Sequence, residues 1–152
     1  MKPIFLALIL SVLTVSCGKD ETTASCPEPQ LDCTGINCIL HNYYFDFRIV
    51  DKNTGSDLVF GTTPRYTIGD VALYADQAHT QPIVVTANSG QKLFETNLAT
   101  TEMYLVIAGT TSYKITATYK AIDCCASRVK NLSVDGLSLC TCCADGIEVP
   151  VN

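Results

Sequence analysis

Nine cysteines lie towards the two ends of this chain of 152 residues, and none lies between Cys38 and Cys124. They are Cys17, Cys26, Cys33, Cys38, Cys124, Cys125, Cys140, Cys142 and Cys143. Cysteines at this density are typical of exported proteins, in which they pair as disulfides, whereas intracellular proteins keep their thiols reduced. Because nine is odd, at least one cysteine must stay outside any set of bridges within the chain.

The first 16 residues are typical of an export signal. Lys2 supplies a positive charge, and an apolar run from Ile4 to Val15 follows it. That run is too short to span a bilayer, which takes about 20 apolar residues. A charged start, a short apolar stretch and a small residue, here Ser16, describe a signal that is removed after export. Residues 1–16 are therefore predicted to be a signal peptide.

The residues at the predicted cut, Thr14-Val15-Ser16-Cys17, resemble the lipobox of bacterial lipoproteins. The resemblance implies that Cys17 carries lipid, becomes the new N-terminus and attaches the chain to the membrane. Two or more acyl chains hold a protein stably on a bilayer. Lys19-Asp20-Glu21 resembles the acidic signal that sends some Bacteroidota lipoproteins to the outer face of the outer membrane, and it also fits an ordinary charged linker. We expect an outer-membrane lipoprotein of the cell envelope, which is exposed on the cell surface if Lys19-Asp20-Glu21 acts as this export signal.

With Cys17 lipidated, eight cysteines remain, and eight can pair completely. Neighbouring Cα atoms lie about 3.8 Å apart, whereas disulfides prefer about 4.4–6.8 Å. We therefore predict that Cys124 does not pair with Cys125, and that Cys142 does not pair with Cys143.

The two cysteine groups must also be joined to each other. Three of the eight precede the long gap and five follow it, so full pairing requires at least one bridge between the groups. The shortest such link, from Cys38 to Cys124, spans 86 positions. A loop of that size is stabilised by about 4–5 kcal/mol in the chain-entropy model. We expect this bridge to fasten the irregular segment 26–42 onto the last strands.

Alternation of apolar and polar residues predicts strands after residue 42. It is clearest in Tyr43–Val50 and Tyr113–Lys120, and Met103–Ala108 is a continuous apolar run, as in a strand buried on both sides. Shorter strands are predicted at Asp57–Phe60, Asp70–Asp76, Pro82–Ala87 and Gln91–Glu95. About nine short strands separated by turns favour an all-β fold. We predict an antiparallel β-sandwich in residues 43–152 behind a flexible tether of residues 17–42, fastened by disulfides.

The last hairpin has a predictable register. Asp135-Gly136 accepts the positive φ angles of a two-residue turn, so Val134 should face Leu137 and Leu132 should face Leu139. Facing residues share a side of a sheet and neighbours alternate. These four apolar residues should then lie on the core face. The opposite face should carry Asn131, Ser133, Ser138, Cys140 and Cys142.

The charge of the chain argues against two classes of partner. The formal net charge is −5, and loss of Lys2 with the signal peptide brings it near −6. An acidic protein is repelled by nucleic acid and by anionic lipid. Membrane attachment would therefore depend on acyl chains.

Two patterns in the sequence are compatible with metal sites, and each also has a simpler explanation. The five cysteines that follow the gap could hold zinc or copper as thiolates, although an oxidising compartment favours disulfides. Asp51, Asn53, Gly55 and Asp57 recur at every second position, as in a calcium loop. The late glutamate of that loop is replaced by Thr62, and polar residues are also what a hairpin turn requires.

Catalytic motifs are weak in this sequence. His41 and His79 are compatible with a Ser/His/Asp triad, but no serine has a GxSxG setting, and Gly109–Ser112 lacks the lysine of a phosphate loop. We interpret both histidines as exposed loop residues and predict no catalytic residue and no enzyme activity. The tyrosines that are candidates for a ligand-binding face, or for half-buried strand positions, are Tyr43, Tyr44, Tyr104, Tyr113 and Tyr119.

Three stretches, Tyr44–Phe60, Tyr66–Asp76 and Val129–Gly136, resemble small uncharacterised Bacteroidota lipoproteins that carry a short β-sandwich behind the anchor. The resemblance does not extend to the cysteine-rich end, and it implies a fold but no particular activity. We expect a lipid-anchored, non-catalytic binding or surface-assembly module without a cofactor. Its expected partners are the membrane, through lipid on Cys17, and an envelope protein or glycan, but no nucleic acid. The alternative is a thiolate metal-binding lipoprotein that uses the C-terminal cysteines.

Overall fold

Ten strands and one 3₁₀ turn make up the regular structure of the computed structural model, which describes residues 26–97 and 100–152. The strands are β1 Asn42–Asp51, β2 Val71–Tyr74, β3 Pro82–Ile83, β4 Val85–Asn88, β5 Leu93–Asn97, β6 Glu102–Ile107, β7 Thr111–Asp123, β8 Ala126–Val134, β9 Leu137–Thr141 and β10 Ile147–Val151, and the 3₁₀ turn is Ile68–Asp70. Among the described residues no helix has the length and apolarity needed to cross a bilayer. The predicted signal peptide 1–16, Cys17 and Lys19-Asp20-Glu21 lie outside the described residues.

All ten strands join one mixed sheet in the order β3-β2-β6-β7-β8-β1-β5-β4. β1 runs parallel to β8 over Asn42–Tyr44 and then parallel to β10 over Phe47–Asp51, while β9 pairs with the rest of β8. β1 and β8 part after three residues, and the sheet as a whole is nearly closed and barrel-like. The all-β class is confirmed, but the antiparallel sandwich is not. Alternation identifies strands and their hairpin neighbours. It does not indicate that β1 pairs in parallel with two strands from the other end of the chain.

Aromatic and branched side chains fill a common core. From β1, the side chains of Phe45, Phe47 and Ile49 are fully buried. The Phe47 ring lies 4.8 Å from the Phe45 ring and 5.4 Å from the Phe94 ring of β5. The other strands contribute Leu73, Met103, Leu105, Ile107, Ile115, Ala117, Val129, Leu132, Val134, Ile147, Val149 and Val151 to the same cluster. Truncating a buried ring such as Phe47 to alanine should cost about 3–5 kcal/mol.

The predicted strand Asp57–Phe60 is wrong. Leu58 and Val59 are buried, but Asp57 makes only an isolated bridge to Val50. The Asp57 carboxylate accepts hydrogen bonds from the backbone N–H groups of Val59 (2.9 Å) and Phe60 (2.7 Å). A side chain that binds the backbone two and three residues ahead bends the chain, so this apolar run becomes a buried turn.

Two other strand predictions are confirmed. Met103 to Ile107 are buried at every position, as expected of a strand covered on both faces. The predicted hairpin exists as β4 and β5, which pair through Ala87 with Phe94 and Asn88 with Leu93. Pro82 and Ile83, the first residues of the predicted hairpin, form the separate strand β3, which pairs with β2.

The last hairpin confirms the predicted turn but not the whole register. Asp135 and Gly136 have φ of 49° and 81°, and Val134 pairs with Leu137. A bulge then shifts the register, so Leu132 pairs with Cys140 rather than with Leu139. Leu139 and Cys140 both pack against the core, and Leu137 is 73% exposed. The predicted opposite faces for Leu139 and Cys140 are therefore wrong, because a bulge interrupts strict alternation.

Four disulfides pair all eight cysteines after Cys17, as predicted. The bridges are Cys26–Cys142, Cys33–Cys124, Cys38–Cys125 and Cys140–Cys143. No bridge joins adjacent residues, and three bridges join the two ends of the chain. Residues 26–41, which contain no helix or strand, are fastened by these three bridges to the β7–β8 tip and to the segment after β9.

Candidate functional site

A row of polar and aromatic side chains crosses the outer face of β2, β6 and β7. Tyr104 of β6 pairs with Tyr74 of β2 on one side and with Lys114 of β7 on the other. Met103 and Leu105 point into the core, so the alternation of β6 places Tyr104 on the opposite face. Paired residues share a face, which brings Tyr74, Tyr104 and Lys114 together.

The loop between β2 and β3 folds over this row. The Asp76 carboxylate accepts hydrogen bonds from the backbone N–H groups of Thr80 (2.9 Å) and Gln81 (2.7 Å), which closes the loop tightly. These bonds hold the pKa of Asp76 below its usual value, against the opposing effect of desolvation, which is the largest single contribution. The closed loop places the His79 ring 5.0 Å from the Tyr74 ring and 6.5 Å from the Tyr104 ring.

Glu102 connects the row electrostatically. Its carboxylate accepts a hydrogen bond from the Tyr104 hydroxyl (2.5 Å) and forms an ion pair with the Lys114 ammonium (2.7 Å). The hydrogen bond from Lys114, and then the one from Tyr104, lower the pKa of Glu102. The same bonds raise the pKa of Lys114 and of Tyr104. Glu102 and Lys114 thus form a neutral pair beside an aromatic ring.

The outer face of β6 and β7 and the loop between β2 and β3 border an open groove of about 470 Å³, which we call the distal groove. Its lining residues are Gln77, His79, Tyr104, Ser112, Lys114 and Asp135. Of these residues, only His79 and Tyr104 were candidate site residues from the sequence, and nothing in the sequence connected the two. The alternation of β6 and β7 could have shown that Glu102, Tyr104, Ser112 and Lys114 share the outer face. Only the loop that carries Gln77 and His79 was unpredictable.

Both histidines are exposed, as expected, and each lies beside a serine. His79 Nε2 is 3.3 Å from Ser112 Oγ, and His41 Nε2 is 3.0 Å from Ser127 Oγ. Within the part of the chain that the structure describes, neither imidazole has a hydrogen bond or ion pair to a carboxylate. A triad needs a third group that orients the histidine. Among the described residues, the geometry therefore brings together two Ser/His pairs but no Ser/His/Asp set.

The suspected calcium loop is a hydrogen-bonded turn. The Asp51 carboxylate accepts bonds from the backbone N–H groups of Asn53 and Thr54, both at 2.9 Å. These two bonds lower the pKa of Asp51. Gly55 adopts a φ of 70° and donates its N–H to the Asp51 carbonyl (2.8 Å). Asp51 and Asp57 thus direct their oxygens at backbone donors of the turn, and in residues 26–97 and 100–152 no group of three metal-ligating side chains converges.

The cysteines hold one another rather than offering thiolates. Cys140 and Cys143 are bonded to each other across the Cys-x-x-Cys spacing of Cys140-Thr141-Cys142-Cys143. Cys142, between them, has a φ of 58° and bonds to Cys26. The positive φ turns Cys142 away from its neighbours and lets adjacent residues join different partners.

The five candidate tyrosines do not form one binding face. Tyr43 and Tyr119 pack edge to face, 5.4 Å apart, whereas Tyr44 points outwards from β1. Tyr113 is buried, and its hydroxyl accepts the backbone N–H of Asn152 (3.1 Å). Only Tyr104 reaches the distal groove.

Comparison of the chain with protein-family models, with curated proteins and with solved structures found no match. The geometry of the distal groove and the placement of the cysteines are therefore the observations that bear on function. The distal groove lies at one end of β7 and β8, and the Cys33–Cys124 and Cys38–Cys125 bridges lie at the other end. The Cys26–Cys142 and Cys140–Cys143 bridges lie alongside β8 between the two ends.

Proposed function

We propose that the chain is a lipid-anchored binding module of the cell envelope, with its ligand site in the distal groove. The observation that carries the proposal is the pairing of eight cysteines among themselves, which leaves Cys17 as the ninth. Complete pairing suits an exported chain. A single cysteine left over directly after a signal-like segment suits lipid attachment, as the lipobox resemblance implies.

The positions of the two ends support the same proposal. β7 runs from the distal groove, at Ser112 and Lys114, to the tip at Asp123, which bonded cysteines surround. Asp123 is nine strand steps after Lys114, a distance of about 30 Å. Two bridges fasten the N-terminal segment at the tip, and the Cys26–Cys142 bridge fastens it beside the middle of β8, where the Cys143 N–H donates to the Lys130 carbonyl (3.0 Å). An anchor on Cys17 is compatible with a groove that faces away from the membrane.

The chemistry of the groove favours an uncharged, hydroxyl-rich ligand such as a segment of glycan. Glu102 and Lys114 neutralise each other, and the Asp135 carboxylate accepts the backbone N–H of Lys114 (2.9 Å). The amide of Gln77 and the hydroxyl of Ser112 offer donors and acceptors without net charge. A few polar groups beside an aromatic surface are what a small polar ligand requires.

The anchoring half of the proposal is tested by detergent phase separation of the full chain made in a bacterium. The wild type should enter the detergent phase, and Cys17→Ala should remain as uncleaved precursor or as soluble protein. Wild-type protein in the aqueous phase would instead indicate a soluble secreted protein cut near Ser16.

The binding half is tested by NMR titration with a panel of neutral oligosaccharides. Amide shifts should concentrate around Ser112 and Lys114, and Lys114→Met should weaken binding by about tenfold, the equivalent of one lost hydrogen bond to a charged group. Lys52→Met, at an exposed lysine outside the groove, is the matched control. Shifts spread over the surface, or equal loss in both variants, would remove the groove from the proposal.

A further inference from the structure

Three exposed aliphatic side chains lie on the segment that is bonded to the tip of the β7–β8 hairpin. Ile39 is 95% exposed, Leu40 77% and Ile36 53%. All three lie within five consecutive residues. Exposing an apolar surface of this kind to water is energetically unfavourable for a folded domain. We call Ile36, Ile39 and Leu40 the apolar tip.

Disulfides fix the apolar tip in its exposed position. Cys33 is bonded to Cys124 and Cys38 to Cys125, so the segment is held to the β7–β8 turn at two points. The Ile36 N–H also donates to the Cys33 carbonyl (3.1 Å). Ile36 lies between the two bridged cysteines, and Ile39 and Leu40 lie between Cys38 and Asn42, whose N–H donates to the Cys125 carbonyl (2.9 Å). Attachments on both sides thus restrict the movement of these side chains towards the core.

The surroundings of the apolar tip favour an apolar partner. Residues 33–41 contain no Lys, Arg, Asp or Glu. The nearby Asp32 and Asp123 carboxylates are engaged by the backbone N–H groups of Thr34 (3.1 Å) and Cys125 (2.7 Å). With no cation on the segment itself, contact with lipid headgroups would not depend on their negative charge.

The length of chain before the described residues places a bilayer within reach. Cys26, where the first bridge ties the chain to Cys142, is nine positions after Cys17, and nine extended steps span at most about 30 Å. We propose that the apolar tip inserts into the interfacial layer of the bilayer that carries the lipid on Cys17. This inference depends on the proposed anchor. A second, covalently fixed contact would set the orientation of the domain, because a lipid on a tether alone leaves it free to rotate.

Tryptophan fluorescence tests the inference, because the chain contains no tryptophan. The full lipidated chain carrying Ile39→Trp is reconstituted into phosphatidylcholine vesicles with brominated acyl chains, which quench buried tryptophan. The matched control is Leu137→Trp, an exposed leucine, 73% accessible, at the opposite end of β8. Eight strand steps, about 27 Å, separate Val134 beside it from Ala126 at the tip.

We expect the emission of Ile39→Trp to shift to shorter wavelength and to be quenched, with that of Leu137→Trp unchanged. If both proteins float with the vesicles but keep an aqueous emission, or if both are quenched equally, the inference is overturned while the anchor stands. If the protein does not float with the vesicles, the anchor is wrong and the inference falls with it. Quenching of Ile39→Trp that disappears at high salt would also contradict it, because an apolar contact is not screened.

Discussion

Lys114 and Asp135 hold each other through two hydrogen bonds that join β7 to the turn between β8 and β9. The Lys114 N–H donates to the Asp135 carboxylate (2.9 Å), and the Asp135 N–H donates to the Lys114 carbonyl (2.8 Å). Asp135 does this from a φ of 49°, a region that aspartate and asparagine tolerate better than alanine. One side chain thus terminates the hairpin and lines the distal groove.

Replacing Asp135 should therefore separate its backbone role from its charge. Asp135→Ala removes the acceptor of the Lys114 N–H and adds strain at positive φ, so the free energy of unfolding should fall by about 1–2 kcal/mol. Asp135→Asn keeps an acceptor oxygen and the tolerated backbone, so its loss should stay below about 0.5 kcal/mol. Urea denaturation of both variants measures the difference. Equal losses would show that the charge, rather than the turn geometry, is what matters.

Asp46 is a carboxylate whose replacement should stabilise the protein. It faces Glu95 directly across β1 and β5. Burial raises the pKa of Asp46, and the charges of Glu95 and Asp145 raise it further, against the opposing effect of Arg128. Because the folded pKa lies above the unfolded value, ionisation opposes folding, and the stability present below about pH 4 is lost as pH rises through the folded pKa.

Asp46→Asn should therefore raise the free energy of unfolding at pH 7 by on the order of 0.5 kcal/mol, allowing for solvent screening. Thermal denaturation at pH 7 and at pH 3 checks this, since the gain should disappear once the wild-type carboxyl is protonated. Glu148→Gln, at an exposed acid, is the control and should show no such dependence. A gain that persists at pH 3 would indicate a packing effect instead.

Tyr119 should limit stability in alkali. Desolvation raises the pKa of its hydroxyl to about 12, and the neighbouring Tyr43 adds to the rise. A phenol with a raised folded pKa contributes stability that is fully present below about pH 10 and is lost as pH rises through about 12. Circular dichroism should show unfolding in that range. Tyr119→Phe, which cannot ionise, should flatten this limb, whereas the exposed Tyr44→Phe should leave it as in the wild type.

The two bridges at the hairpin tip should be partly redundant. Cys33–Cys124 and Cys38–Cys125 lie side by side, so with one intact the other closes a loop of only about eight residues. In the chain-entropy model, removing either pair to alanine should cost about 2–3 kcal/mol, well below the 4–5 kcal/mol of an isolated loop of this span. Removing the second pair should cost about 3–4 kcal/mol more, since the closed loop is then longer. Guanidinium denaturation of the single and double removals checks this order; a cheaper second removal would contradict it.

Most of the strand positions, and the need for a bridge between the two cysteine groups, could be predicted from the residues. Alternation in β7 and the Asp135-Gly136 turn depend on neighbours in sequence, and the need for a bridge between the two cysteine groups depends on arithmetic. The parallel partners of β1 lie 80 and more residues away, and no periodicity records them. The bulge that brings Cys140 opposite Leu132 changes a register without changing composition.

The distal groove was missed for a related reason. Glu102, Tyr104 and Lys114 belong to strands whose alternation was recognised, so their common face could have been derived. His79 reaches them only because Asp76 binds the backbone of Thr80 and Gln81, a loop geometry set by hydrogen bonds rather than by a hydrophobic pattern. A sequence pattern carries little information on such a loop.

The Cys26–Cys142 bridge has a mechanical consequence. If the N-terminus is tethered to a surface, drag on the domain enters the fold at Cys26. From there the load crosses a sulfur–sulfur bond into the segment between β9 and β10, and the bridges at Cys33 and Cys38 share what continues along the chain. The pull therefore reaches β9 and β10 through covalent bonds before it reaches β1 along the chain. A tethered domain built this way loads its last strands together with its first instead of loading β1 alone.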